Sequence, residues 1–258
     1  MFKELYQYRE LLKSSVQKEI RGKYKASVLG VLWSFINPLL QVLVYAIVFP
    51  YLLRNTGDNY LVYLVTGIIP WNFFTTVITG TVNCIKVNAG IIKKVYFPRI
   101  VLPVSIAISG LINFLISCLI VVAVCLFSGV GVSWHIVLLP VIAVIQMIFS
   151  LGIGMVLSAC DAYVQDLEYI VNFLIQLAMY GTPIVYNLNM FSNTSNMLVQ
   201  LIRLNPLTII VGAYRDIFLY HQMFDLIQFG IVSIIAVVIL FIGTMIFHKL
   251  EKGFAEQF

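Results

Sequence analysis

The sequence predicts an all-α integral membrane protein. It has six transmembrane helices, an N-terminal amphipathic interface helix, and an extracytoplasmic re-entrant hairpin between the fifth and sixth spans. Three observations predict this class. First, 61% of the 258 residues are hydrophobic and 10% are charged, against about 25% charged in a soluble domain. So apolar a chain cannot cover itself with a water-compatible surface, and its solvent is therefore lipid. Second, the apolar residues fall into runs of the length that crosses a bilayer, roughly 20 residues. Third, 13 of the 16 Lys and Arg residues fall on one side of the crossings these runs define.

The elements follow in order. Residues 1–25 are charged throughout, and Leu5, Tyr8, Leu12, Val16 and Ile20 recur at spacings of three and four. They share one helical face, as in a helix that lies along a membrane surface. Neither these charged residues nor the long apolar run after them resembles a cleavable signal peptide. Residues 26–258 form a single transmembrane domain with spans at about 26–53, 60–85, 100–127, 136–159, 169–186 and 226–247. Pro38 and Pro50 are candidate kinks in the first span. Ser128-Gly129-Val130-Gly131, followed by Trp134, divides the uncharged stretch from Ile100 to Cys160 into two helices. Residues 187–225 are too polar to cross alone and too apolar for a free loop, which suits a re-entrant hairpin.

The basic residues orient the chain. With the N-terminus in the cytoplasm, the inside segments hold 13 Lys and Arg and the outside holds Arg54, Arg203 and Arg215. Both termini then lie in the cytoplasm, and the number of crossings is even. The net charge of +5 is thereby a topology signal, and no nucleic-acid partner is expected. Arg21, Lys23 and Lys25 are candidates for drawing a lipid phosphate to the membrane surface; the plainer reading of these cations is the topology signal alone.

The middle of each span lacks acidic and basic residues. Ion-coupled carriers place ionisable groups there, so coupling to an ion gradient is disfavoured. The chain has no GxxxxGK[ST] loop, so any ATP hydrolysis belongs to a separate subunit. Cys84, Cys118, Cys125 and Cys160 form no CxxC pair, and the three histidines are scattered. Buried small side chains account for the cysteines, and neither a metal site nor a catalytic residue is expected.

Aromatic residues make up 14% of the chain. Tyr45, Phe49, Trp71, Phe73 and Phe74 concentrate around the first two spans. One reading is an interfacial belt with ordinary packing. The other is a pore whose flat apolar faces stack on the C–H faces of sugar rings, so that a polymer slides over many weak contacts.

Several segments resemble a known family. They are KYKASVLGVLWSFINPLLQVLVYAIVF (23–49), TGIIPWNFFTTVITG (66–80), NAGIIKKVYFPRIVLPVS (88–105), DAYVQDLEYIVNFLIQLAMYGTPIVY (161–186), LNPLTIIVGAYRD (204–216) and LEKGFAEQF (250–258). In this order they resemble the permease subunits of type-2 ABC exporters. More narrowly, they resemble the branch that exports O-antigen, capsule-type glycans and teichoic acids. The resemblance implies a homodimeric channel in the cytoplasmic membrane that moves a lipid-linked glycan. Two separate ATPase subunits bind ATP and Mg, and this chain carries no cofactor of its own. Tyr163, Asp166 and Glu168 then match the coupling helix that contacts the ATPase, with 88–98 as a second contact and 187–215 as gate helices. Gln165 departs from the family, which often carries Arg there. The alternatives are a small-molecule or drug exporter of the same superfamily and a membrane-embedded glycosyl- or acyltransferase.

Overall fold

A computed structural model describes residues 2–22, 32–52, 59–164, 166–188 and 197–254. Among the described residues the architecture is helical, without strands. Lys23, Lys25, Gln165 and residues 193–196 lie outside the described residues.

The chain opens with α1 (Phe2–Gln7) and α2 (Arg9–Gly22). Leu5, Tyr8 and Leu12 pack against the apolar core and Val16 is buried, so one face of this pair rests on the bundle, with α2 lying along α6 (Val101–Phe127). Lys18 Nζ donates to Asn88 Oδ1 at 2.9 Å, which ties α2 to the link that follows α4 (Tyr60–Val87). Between them comes α3 (Trp33–Leu52), continuous through Pro38.

Helix α4 is the most enclosed of the long helices. Its apolar window is 78% buried, against 33% for α6. After α4 come the short α5 (Ala89–Ile92) and then α6. The chain turns at 128–131, where Gly129 and Gly131 take φ of 74° and 79°. That left-handed region suits glycine, which has no Cβ to clash. A 3₁₀ turn (Trp134–Leu138) leads into α7 (Leu139–Asp161) and then α8 (Leu167–Tyr180). Helices α9 (Met197–Leu204) and α10 (Pro206–Arg215) precede a π-helical turn (Asp216–Tyr220) and α11 (Leu226–Leu250).

Four stretches are long and apolar enough to cross a membrane: Tyr60–Val87, Val101–Phe127, Trp134–Asp161 and Leu226–Gly253. They overlie the predicted second, third, fourth and sixth spans. The predicted first and fifth spans carry shorter apolar helices, Phe35–Phe49 and Leu167–Tyr180. The 14 residues of α8 reach about 21 Å at 1.5 Å per residue, short of a hydrocarbon core of roughly 30 Å. Local contacts help to stop the helix at Tyr180. Gly181 N donates to Leu177 O at 3.2 Å, the Thr182 hydroxyl donates to Ala178 O at 2.9 Å, and Pro183 has no N–H to continue the ladder.

Side-chain caps start α10 and α11. Asn205 accepts from Leu207 N at 3.0 Å, and Asp225 accepts from Ile227 N at 2.9 Å. Leu207, Ile210, Val211 and Tyr214 bury one face of α10 against α4, α7 and α11. The segment predicted as a hairpin therefore contains a packed amphipathic helix.

Helices α7 and α11 meet at glycines. A Cβ on Gly152 would lie 2.6 Å from Leu240 N, and one on Gly243 would collide with Gly152 O. In lipid, close backbone approach through small residues is a main source of helix association. Gly243→Leu should lower stability by about 3 kcal/mol or more. A clear fall in the melting temperature of the detergent-solubilised protein, with Gly230→Leu unchanged, checks this. Gly230 has open space around it.

Candidate functional site

The helix ends that carry most of the basic residues gather a polar network. Lys86 sits in the last turn of α4, and Asp161 is the last residue of α7. Lys86 Nζ lies 2.9 Å from each carboxylate oxygen of Asp161, whose side chain is 1% exposed. Two turns of chain later, Glu168 accepts from Asn83 Nδ2 at 2.8 Å. The segment joining α7 to α8 is thus fastened at both edges to one turn of α4.

Tyr163 fastens the same segment to α11. Its hydroxyl donates to Leu250 O at 2.8 Å, and its ring meets Phe254 edge-on at 6.1 Å. Phe254 in turn packs edge-on against Phe247 at 5.5 Å, with the Arg99 guanidinium 5.8 Å over its ring. Of the residues proposed for coupling, Tyr163 and Glu168 anchor the segment. Asp166 stands exposed at the first turn of α8. Arg21 is exposed at the end of α2.

A second network lies at the opposite ends of the helices. Arg215 is buried, donates from Nη2 to Ile184 O at 2.9 Å, and stacks 3.5 Å over the Tyr63 ring. Burial pulls its pKa down from the usual value, yet a guanidinium remains charged, and the ring face helps offset the lost water. The arrangement needs Gly67, since a Cβ there would sit 2.8 Å from Arg215 Nη2. Tyr63 and Tyr60 donate to Tyr186 O at 2.7 Å and Val185 O at 2.8 Å, and Asn205 Nδ2 donates to Gly181 O at 3.0 Å. The turn after α8 is therefore held to α4 and α10 through its backbone carbonyls.

The aromatic candidates divide. Phe73 stacks on Phe114 at 4.8 Å and lines a cavity between α3, α4 and α6. Trp71 and Phe74 are buried in contact with each other, and Phe74 also meets Phe149 on α7 at 6.3 Å. Tyr45 and Phe49 pair edge-on along α3 at 5.4 Å.

An uncovered face of α8 adds residues that the sequence reading did not single out. Tyr169, Asn172, Phe173, Gln176, Leu177 and Tyr180 are all exposed. Their spacings of three and one place them in a single stripe. Val171 is the one buried residue of α8. The signal was present in the sequence as a helical period that mixes rings with amides.

Residues 10–219 match the ABC-2 type transporter family. The chain belongs to this family. The O-antigen export system permease protein RfbA of Myxococcus xanthus is 34% identical over 257 residues, covering 100% of this chain and 98% of that protein. The protein of the same name from Klebsiella pneumoniae is 33% identical over 251 residues, covering 96% and 94%. The polysialic acid transport protein KpsM of Escherichia coli is 21% identical over 243 residues, covering 92% of each chain.

Lys86→Met would leave the Asp161 carboxylate buried without its cation, at a cost of about 3–5 kcal/mol. The double variant Lys86→Met with Asp161→Leu removes both charges and should recover most of that loss. Thermal melting of the two variants beside the parent protein measures it. A single variant as stable as the parent would show the pair to be unimportant.

Proposed function

We propose that this chain is the channel-forming permease subunit of an ATP-driven exporter of a lipid-linked polysaccharide of the O-antigen or capsule type. The observation that carries the reading is identity of about one third, along essentially the whole chain, to permeases named for O-antigen export. The protein works as a homodimer in the bacterial cytoplasmic membrane, with both termini in the cytoplasm. Two separate ATPase subunits, which hold ATP and Mg, dock on the cytoplasmic side.

Six crossings suit the parts. The four long helices account for four. Helix α3 with the residues before it, and α8 with its turn, supply the first and fifth. An even count puts the basic ends of α2, α4 and α11 on one side, as the asymmetry of Lys and Arg requires. The amphipathic α1–α2 then lies at the cytoplasmic surface, where Arg21 with Lys23 and Lys25 attracts the lipid phosphate. The α9–α10 segment faces the outside as a gate, latched by Arg215 and Asn205.

The exposed faces favour a second copy. Asn172 and Gln176 are exposed on α8, and lipid offers their amides no hydrogen-bond partner, so this face suits a protein partner or a polar pathway. Dimerising there places the stripe of Tyr169, Phe173 and Tyr180 on a shared pathway beside Tyr45 and Phe49. Rings present flat faces to sugar C–H groups, while Asn172 and Gln176 exchange hydrogen bonds with hydroxyls. Contacts of this kind are individually weak and repeat along a polymer, so no single step traps it.

Tyr163, Asp166 and Glu168 form the coupling segment. Tyr163→Ala removes its bond to Leu250 and its contact with Phe254. Export should fall about tenfold, within the usual range of coupling between two sites, while protein level and ATP hydrolysis by the partner persist. Deletion of the gene should trap lipid-linked glycan inside the cell. Surface glycan that is unchanged on deletion would sink the reading, and an undiminished rate in Tyr163→Ala would remove that residue from coupling.

A further inference from the structure

The cavity between α3, α4 and α6 has a volume of about 550 Å³. It lies near the middle of α4 and α6 and beside the first half of α3, where the apolar pattern of the sequence leads one to expect aliphatic packing. Its lining is instead rich in amides: Asn37 and Gln41 from α3, Asn72 from α4 and Asn113 from α6. Asn72 Nδ2 donates to Gln41 Oε1 at 2.8 Å, which closes α3 onto α4. Asn113 Nδ2 is buried with no hydrogen-bond partner among the described residues. The Phe73 ring, stacked on Phe114, forms an apolar wall beside these groups.

The lining selects its occupant. The described residues that line the cavity carry no charge, so a phosphate or a metal ion would enter without a counter-charge in a medium where this costs several kcal/mol. A purely apolar molecule would leave Asn113 Nδ2 without a partner, at about 1–3 kcal/mol. A neutral molecule bearing both donors and acceptors, with one C–H face for Phe73, meets both demands. The geometry points to a binding site for a neutral sugar ring within each protomer, formed by Asn37, Gln41, Asn72 and Asn113 against Phe73. This inference rests on the glycan-export reading and deepens it: the permease holds one uncharged sugar unit among the amides between α3, α4 and α6. The site is distinct from the exposed stripe of α8, which offers a sliding surface and not a cavity between helices.

The test uses the full chain in lipid nanodiscs with three probes: methyl α-glucoside, methyl α-mannoside and N-acetylglucosamine. Saturation-transfer difference NMR reads binding. At least one probe should give ring-proton signals, and Asn113→Leu should reduce them at least threefold. Ser117→Phe fills the cavity and leaves its amides in place, so it should abolish the signals even if Asn113→Leu proves unstable. Tyr220→Phe, outside the cavity, should leave them unchanged. Signals with none of the probes, or equal signals in Asn113→Leu and Ser117→Phe, would overturn the site. So would a cavity that takes only water or a detergent chain. The two readings fail differently. Unchanged surface glycan after gene deletion defeats the export function. Trapped glycan after deletion, combined with sugar signals in Ser117→Phe equal to those of the parent protein, defeats the cavity site alone.

Discussion

One buried glutamine fixes the rotation of the central helix. Gln146 on α7 is 1% exposed. Its Nε2 donates to Pro70 O on α4 at 2.7 Å, and its Oε1 accepts from the Tyr214 hydroxyl on α10 at 2.9 Å. Lipid offers no partner for any of these groups, so they must satisfy one another. With Pro70 turned toward α7, Asn72 and Phe73 lie on the side of α4 that faces α3 and α6. Gly67, one turn earlier, faces Arg215. The cavity and the latch on α10 thus both follow from the placement of α4 by a single amide.

What the sequence made legible follows from the range of the interactions involved. Long uncharged runs ended by glycines or charges are local signals, and the helices Tyr60–Val87, Val101–Phe127, Trp134–Asp161 and Leu226–Gly253 lie where those runs lie. Helix rotation is a different matter. Helix α4 is apolar all round, so no periodic signal separates Trp71 and Phe74, which pack inward, from Phe73, which faces the cavity. The early end of α8 was hidden for a similar reason. The fifth run stays apolar to Tyr186, and the helix stops at Tyr180 partly because Asn205, 24 residues away, holds Gly181 O. Lys86 and Asp161 read as loop charges at the edges of their runs. Their pairing across 75 residues had no signature in either segment. The α8 stripe has a helical period, but the apolar residues between its members, Ile170, Val171 and Leu174, blend it into one more spanning run.

The distribution of polar groups along the bundle matches the division of labour expected of an exporter. Full charges gather at the helix ends, where Lys86, Asp161 and Glu168 fasten the segment that follows α7. The middle carries amides and hydroxyls without charge, at Asn72, Asn113 and Gln146. Neutral groups tolerate burial when hydrogen-bonded and do not grip a passing hydroxyl as an ion would. The far end returns to a charge, Arg215, but that guanidinium is occupied by Ile184 O and the Tyr63 ring. It therefore acts on the protein's own turn.

Helix α4 also joins these regions mechanically. Its 28 residues reach about 42 Å, and partners hold it at three levels. Lys86 and Asn83 fix one end to the segment 161–168, Gln146 fixes the middle, and Tyr60 and Tyr63 fix the other end to the turn at 185–186. A displacement of 161–168 carries Asp161 and Glu168 together and pulls at two points, Lys86 and Asn83, on one turn of the same helix. Local slack there would require breaking a buried ion pair and an amide–carboxylate bond at once. Movement of α4 as a body is the smaller cost, and any such movement reaches both the wall of the amide cavity and the carbonyls that hold the turn after α8. In the exporter reading, a push from the ATPase at one end therefore changes the pathway along its whole length through one stiff element.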